Sequence, residues 1–158
     1  MARLIPNENT WVGFATTVAD LDAPTAANVT SAINLTGFLI SINASARGNT
    51  VPTPSFDSLF ETSIAGTNTA TFDADFYRDD ENDTAWDTLP RATEGYFIVS
   101  RFGGSGTDNQ PTAGDEVEVW PVMVVSRSMA NMSNNTAMTF TVSCSVPEEP
   151  AESATIAA

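Results

Sequence analysis

The chain has no histidine, no lysine and one cysteine, Cys144, among its 158 residues. Without histidine and lysine it lacks the commonest general bases and the amine nucleophile. A single thiol cannot form an intramolecular disulfide, so oxidation does not staple the fold. Cys144 falls in phase with Met138, Phe140, Val142 and Val146 on one face of a strand, which makes it a small buried hydrophobe. Positive charge is scarce as well: six arginines face twenty acids, for a net charge of −14. Such a chain has almost nothing with which to neutralise the phosphates of nucleic acid or the headgroups of anionic lipid. No apolar run approaches a membrane span. MARLIPNENT, at the start, lacks the apolar core of a secretory signal, so synthesis in the cytoplasm is expected. Only carboxylates remain for catalysis, and although a pair of them can hydrolyse a glycoside, nothing in their spacing singles one pair out. No enzyme is expected, and no cofactor.

The run Asp79, Glu81 and Asp83 has the alternation that opens a calcium loop. It fails as one, because the sixth position is Thr84 rather than Gly and the twelfth is Pro90 rather than Glu. No metal is therefore expected, and the run reads as a solvated helix start. The sequons at Asn28, Asn34, Asn43, Asn82, Asn131 and Asn134 read as chance in an Asn- and Thr-rich chain.

What is present is β pattern. From Thr69 to Phe102 the chain reads TATFDADFYRDDENDTAWDTLPRATEGYFIVSRF. Ala70, Phe72, Ala74 and Phe76 alternate with Thr71, Asp73, Asp75 and Tyr77, giving a half-buried strand with an acidic outer face. A short helix follows, N-capped by Asp80 and burying Trp86 with Leu89, and Pro90 ends it. A second strand spans Gly95 to Phe102. Upstream, Asn9 to Asp20 reads as a first strand, and a short helix is expected with Asp22 near its N-cap and Pro24 in its first turn. Leu35 to Ala46 reads as the next strand. Asn43 to Ser58, with two prolines, is expected to be a long mobile loop, and Leu59 to Ala65 a short strand ending in a turn at Gly66 and Asn68. Gly103 to Gly114 is a second flexible loop.

Downstream, DEVEVWPVMVVSR, from Asp115 to Arg127, is a strong strand that Pro121 demotes locally to an edge, a bulge or a crossing between sheets. Thr136 to Val146 is the cleanest alternation in the chain. Together these predict a mainly β fold, a β-sandwich or open barrel with one or two short helices packed on it. One domain over residues 1–146 and a polar, acidic, flexible tail over 147–158 are expected.

The stretches FDADFYRDDENDTAWDTLPRATEGYFIVSRFG, AGDEVEVWPVMVVSRSMANMSNNTAMTFTVSCSV and APTAANVTSAINLTGFL resemble the tail tube, or major tail, proteins of long-tailed (siphovirus-type) bacteriophages, above all those of actinobacteria. The resemblance covers nearly all of the chain up to Val146. It implies a structural virion protein that closes with itself into rings, usually of six, stacked into a tube through which DNA passes without specific binding. The same resemblance implies tail partners, namely tape measure, tail terminator and distal tail proteins, and no membrane. Under it, carboxylates projecting away from a core face become candidates for an acidic channel lining: Asp73 and Asp75, opposite Phe72, Ala74 and Phe76, and Glu116 and Glu118, opposite Val117 and Val119. A competing class is a monomeric β-sandwich module that binds carbohydrate or a receptor, with Trp11, Tyr77 and Trp120 as exposed stacking platforms.

Overall fold

The computed structural model describes residues 9–158. In chain order its elements are β1 (Trp11–Ala15), α1 (Ala26–Ser31), β2 (Ile33–Asn34), β3 (Leu39–Thr53), β4 (Thr62–Tyr77), α2 (Thr84–Thr88), β5 (Glu94–Ser100), β6 (Glu116–Met129), β7 (Thr139–Ser145) and β8 (Ala151–Thr155). The strands pair antiparallel in the order β2-β1-β5-β6-β7-β4-β3, and β8 pairs with β6.

Strand alternation places Val12 and Phe14, Phe97 and Val99, Trp120 and Val122, Phe140 and Val142, and Phe72 and Phe76 on one face, where they form a single buried cluster. In a flat sheet β4 and β5, three places apart, would be about 14 Å from each other. Instead the Phe72 and Phe97 rings stack at 4.6 Å, and Phe72 meets Trp120 at 5.8 Å. The sheet curls over on itself, as the mainly β sandwich or open-barrel expectation requires. A second cluster lies on the other face of β1, β5 and β6, where Trp11, Ile98, Val117 and Val119 are covered by Val29 of α1 and by Ala151, Ala154 and Ile156. β1 is therefore buried on both faces and shorter than the alternation suggests. Gly13 is needed there, because a Cβ would run into the Trp11 ring that lies across it.

Several local expectations are corrected. Helix α1 is capped by Thr25, whose hydroxyl accepts from the Asn28 backbone N–H while the Asn28 side chain accepts from the Thr25 N–H, so Pro24 and Asp22 lie before it. This capping box leaves nothing for Asp22 to do. Helix α2 starts after Asp83 rather than Asp80. Asp79 instead closes the turn before it, accepting from the N–H groups of Asn82 and, to a smaller effect, Glu81, which hold its carboxyl below the usual range. Ala85 is the buried residue of that helix and Leu89, its C-cap, is buried too, while Trp86 is only half-buried.

The expected loop Asn43 to Ser58 is mostly strand. β3 and β4 pair from Leu39↔Phe76 out to Thr53↔Thr62, with an irregularity near Gly48 and Thr50, so Gly66 and Asn68 lie inside β4 rather than in a turn. Pro52 is tolerated because β3 is the last strand of the sheet and its outer edge needs no donor. The loop 103–114 is laced together by Asp115, whose carboxylate accepts from the N–H groups of Ser105 (2.9 Å) and Thr112 (2.8 Å) and from both hydroxyls.

Residues 147–158 are not a free tail. β7 pairs with β6 at Met123 to Met129, and β8 takes over the same edge at Glu116 to Val119. β7 and β8 are thus one interrupted strand, broken where β6 carries Pro121, which has no N–H to offer. The segment expected outside the domain instead supplies part of the second core.

Candidate functional site

Asp73 and Asp75 stand on β4 between three buried residues, Phe72, Ala74 and Phe76. Their cross-strand neighbours share their face: Asn43 and Ser143 flank Asp73, and Ser41 and Thr141 flank Asp75. Farther along the face lie Ser45, Thr71 and Ser145 on one side and Thr139 and Tyr77 on the other. The result is a broad hydroxyl and amide surface with two carboxylates at its centre. Among the described residues no helix covers it, because α1 and β8 both pack on the far half of the sheet. Arg47, opposite Thr69, is the cation at its outer end.

The two carboxylates are held differently. Asp75 accepts from Ser41 Oγ at 3.0 Å and from Thr141 Oγ1 at 2.6 Å, which fixes its rotamer across three strands. Asp73 lies beside Cys144, whose thiol is pushed up to about 12 by burial and, secondarily, by the Asp73 charge. That cysteine stays protonated at neutral pH and packs on the main core, as its phase requires.

Glu116 and Glu118 do not join this surface. On β6 they share the face of Trp120 and Val122, the main-core side, while Asp73 and Asp75 point to the opposite side. Glu118 sits at the mouth of the core, bridged to Arg101 and accepting from Trp120 Nε1 at 3.4 Å, with its charge matched locally. Glu116 is exposed beside β8. The relation of Glu116 and Glu118 to Val117 and Val119 is the alternation expected, but Val117 and Val119 belong to the second core, which inverts the outward sense of the carboxylates.

Two of the three aromatic platforms expected of a carbohydrate module are buried. Trp11 and Trp120 are 2% and 1% exposed, and of the three only Tyr77 reaches solvent. Trp86 is also engaged: the Arg78 and Arg127 guanidiniums lie over its ring at 4.0 and 3.6 Å, and it makes a T-shaped contact with Phe140. Arg127 Nη1 also donates to the Trp86 carbonyl at 2.6 Å, and Arg78 pairs with Asp83. Among the described residues no group of three or more His, Cys, Asp and Glu side chains is placed to hold a metal.

Sequence reasoning missed the most exposed apolar feature. Beyond Thr71↔Ser145, the last β4–β7 pair, β3 and β4 continue alone as a two-stranded arm exposed on both faces. At its tip Phe56, Leu59 and Phe60 stand almost fully in solvent. The signal was the run SFDSLF, three large apolar residues in a segment with no strand or helix period.

The described residues thus form a curled antiparallel sheet with one polar open face and a long two-stranded arm. The sequence matches the phage tail tube protein family over residues 1–158, and the chain belongs to that family. None of the curated proteins matches it. Its fold is similar to a chain in the tail of an empty gene transfer agent particle refined with C6 symmetry (TM-score 0.60, 14% identity, 96% of this chain and 100% of that one). It is also similar to a chain of the native gene transfer agent virion (TM-score 0.55, 13% identity, 95% and 98%). A third similar chain comes from the six-fold symmetrised baseplate of the anti-feeding prophage (TM-score 0.59, 6% identity, 95% of each chain). The protein is a structural subunit of a phage-type tail tube.

Proposed function

We propose that six copies close into a ring, that rings stack into the tube, and that the face centred on Asp73 and Asp75 lines the channel through which DNA passes. The observation that carries the lining is the uncovered polar face itself. Hydroxyls and amides offer DNA no net charge, and two carboxylates per subunit repel phosphate at close range, about 10 Å at 0.1 M salt. Such a wall prevents adhesion. The six-fold symmetry of similar tails supports the ring number. In this reading the subunit is made in the host cytoplasm, has no catalytic role and no cofactor, and meets tape measure, terminator and distal tail proteins at the ends or inside of the tube. Glu116 and Glu118 are left out of the lining, since they belong to the other side of the sheet.

Asp73→Lys tests the lining better than a change at Asp75, whose two hydroxyl donors would lose their acceptor. Tubes should assemble normally while genome delivery from the assembled particle slows. Unchanged delivery from normal tubes would exclude Asp73 from the channel wall. Wild-type protein that stays monomeric at all concentrations in sedimentation would overturn the tube itself.

A further inference from the structure

The polar face centred on Asp73 and Asp75 is not acidic throughout. In cross-strand rows along β3 and β4 it runs Ser41 with Asp75, Asn43 with Asp73, Ser45 with Thr71, and Arg47 with Thr69. Alternation keeps Arg47 on the same face as both carboxylates. The row between them is neutral, and its Ser45 and Thr71 hydroxyls bond each other at 3.2 Å. From Asp73 to Thr69, the residue opposite Arg47, four residues of extended chain span about 14 Å.

Arg47 also stands without an acid bonded to it. Among the described residues Arg78 pairs with Asp83, Arg101 pairs with Glu118, and Arg127 donates to the Trp86 carbonyl and lies over its ring. Arg47 and Arg91 make no such contact, and both are exposed. Arg91 is on the turn between α2 and β5, whereas Arg47 is on the open face. Asp22, Glu148, Glu149 and Glu152 line the same open groove as Arg47, yet none forms an ion pair with it. In a chain of twenty acids and six arginines, a guanidinium left unpaired on this face is placed to meet an anion from outside the chain.

We propose that Arg47 is a phosphate contact in the channel wall: six copies in a ring present a belt of guanidiniums, beside the acidic belt of Asp73 and Asp75, to the passing duplex. A guanidinium donates two parallel N–H bonds to one phosphate, which suits the backbone rather than the bases. A duplex carries one negative charge per about 1.7 Å of its axis, so the belt meets phosphate at every position and favours no sequence. Distance decides which belt acts. At 0.15 M salt screening extends about 8 Å, less than the separation of about 14 Å, so Asp73 does little to cancel Arg47. The carboxylates keep the duplex off the wall, and the arginines add drag once per ring. The inference rests on the lining reading above and gives that face a second partner chemistry.

The test measures genome delivery from assembled particles carrying Arg47→Ala or Arg47→Lys. Arg47→Ala should form normal tubes and deliver about twofold faster or more at about 0.15 M salt, and the difference should vanish near 1 M, where screening shortens to about 3 Å. Arg47→Lys keeps the charge and should stay close to wild type. Delivery by Arg47→Ala that matches wild type, while Asp73→Lys slows it, would overturn the arginine belt and leave the lining standing. Unchanged delivery from both variants would overturn the lining, and the belt with it. Loss of tubes in Arg47→Ala, whether or not Arg47→Lys restores them, would overturn the phosphate contact in favour of a contact between subunits.

Discussion

At the scale of single residues, Trp86 shows how few cations this chain has and how they are spent. Two of its six arginines, Arg78 and Arg127, lie over one indole, and they tie α2 to the end of β4 and to β6. Overlying guanidiniums and a T-shaped contact with Phe140 replace the full burial expected for this ring. Trp86→Ala should cost roughly 2–4 kcal/mol, below the full range for a buried tryptophan because the ring is half-exposed, with the two cation–π contacts adding to the loss. Chemical denaturation would measure it. Trp86→Phe should recover at least half, and a wild-type midpoint for Trp86→Ala would show that α2 contributes nothing to stability.

At the scale of elements, the loop 103–114 depends on one carboxylate. The backbone N–H groups of Ser105 and then Thr112 hold Asp115 below the ordinary carboxylate value. A lowered folded value means that the ionised form stabilises the loop above the unfolded value of about 3.9, and that this is lost as pH falls through the folded value. The stability difference between wild type and Asp115→Asn should therefore be constant from pH 7 to about 5 and shrink toward zero below about 4. Thermal melting of both proteins across that range checks it. A difference that grows on acidification would reverse the sign and exclude the hydrogen-bonded carboxylate as its source.

At the scale of the whole molecule, assembly has to overcome charge. Each subunit carries −14, and its most exposed large apolar residues are few: Phe56, Leu59, Phe60 and Met132. Raising ionic strength from about 0.01 M to about 0.15 M shortens screening from about 30 Å to about 8 Å. The repulsion between subunits falls while apolar contact is hardly affected, so polymer yield should rise several-fold over that range. Light scattering would follow it. A yield that falls with salt would mean that ion pairs, such as Arg47 with an acidic neighbour, dominate the contact.

Periodicity by itself determined the strands that have a core face: β4 at Phe72 to Phe76, β5, β6 and β7 were legible because burial on one side writes alternation into the sequence. Composition spoke only against phosphate binding and the commonest catalytic groups, and the class was legible from the family resemblance carried by the stretches between Phe72 and Val146, which the family match bears out. The arm was not legible as a strand pair. Exposed on both faces, it has no apolar period to display, and Pro52 and Pro54 resemble loop residues. Nor was β8, whose small residues Ala151 and Ala154 become buried only because β6 offers an edge that β7 has vacated at Pro121. The lining face shows the same division. Alternation assigned Asp73 and Glu118 alike to the side opposite an apolar set, but only the curl of the sheet and the cover of α1 and β8 decide which side is the outside. On β4 the apolar set fills the closed main core and Asp73 faces open surface; on β6 the second cluster takes the valines, and Glu118 is turned to the mouth of the main core and matched by Arg101.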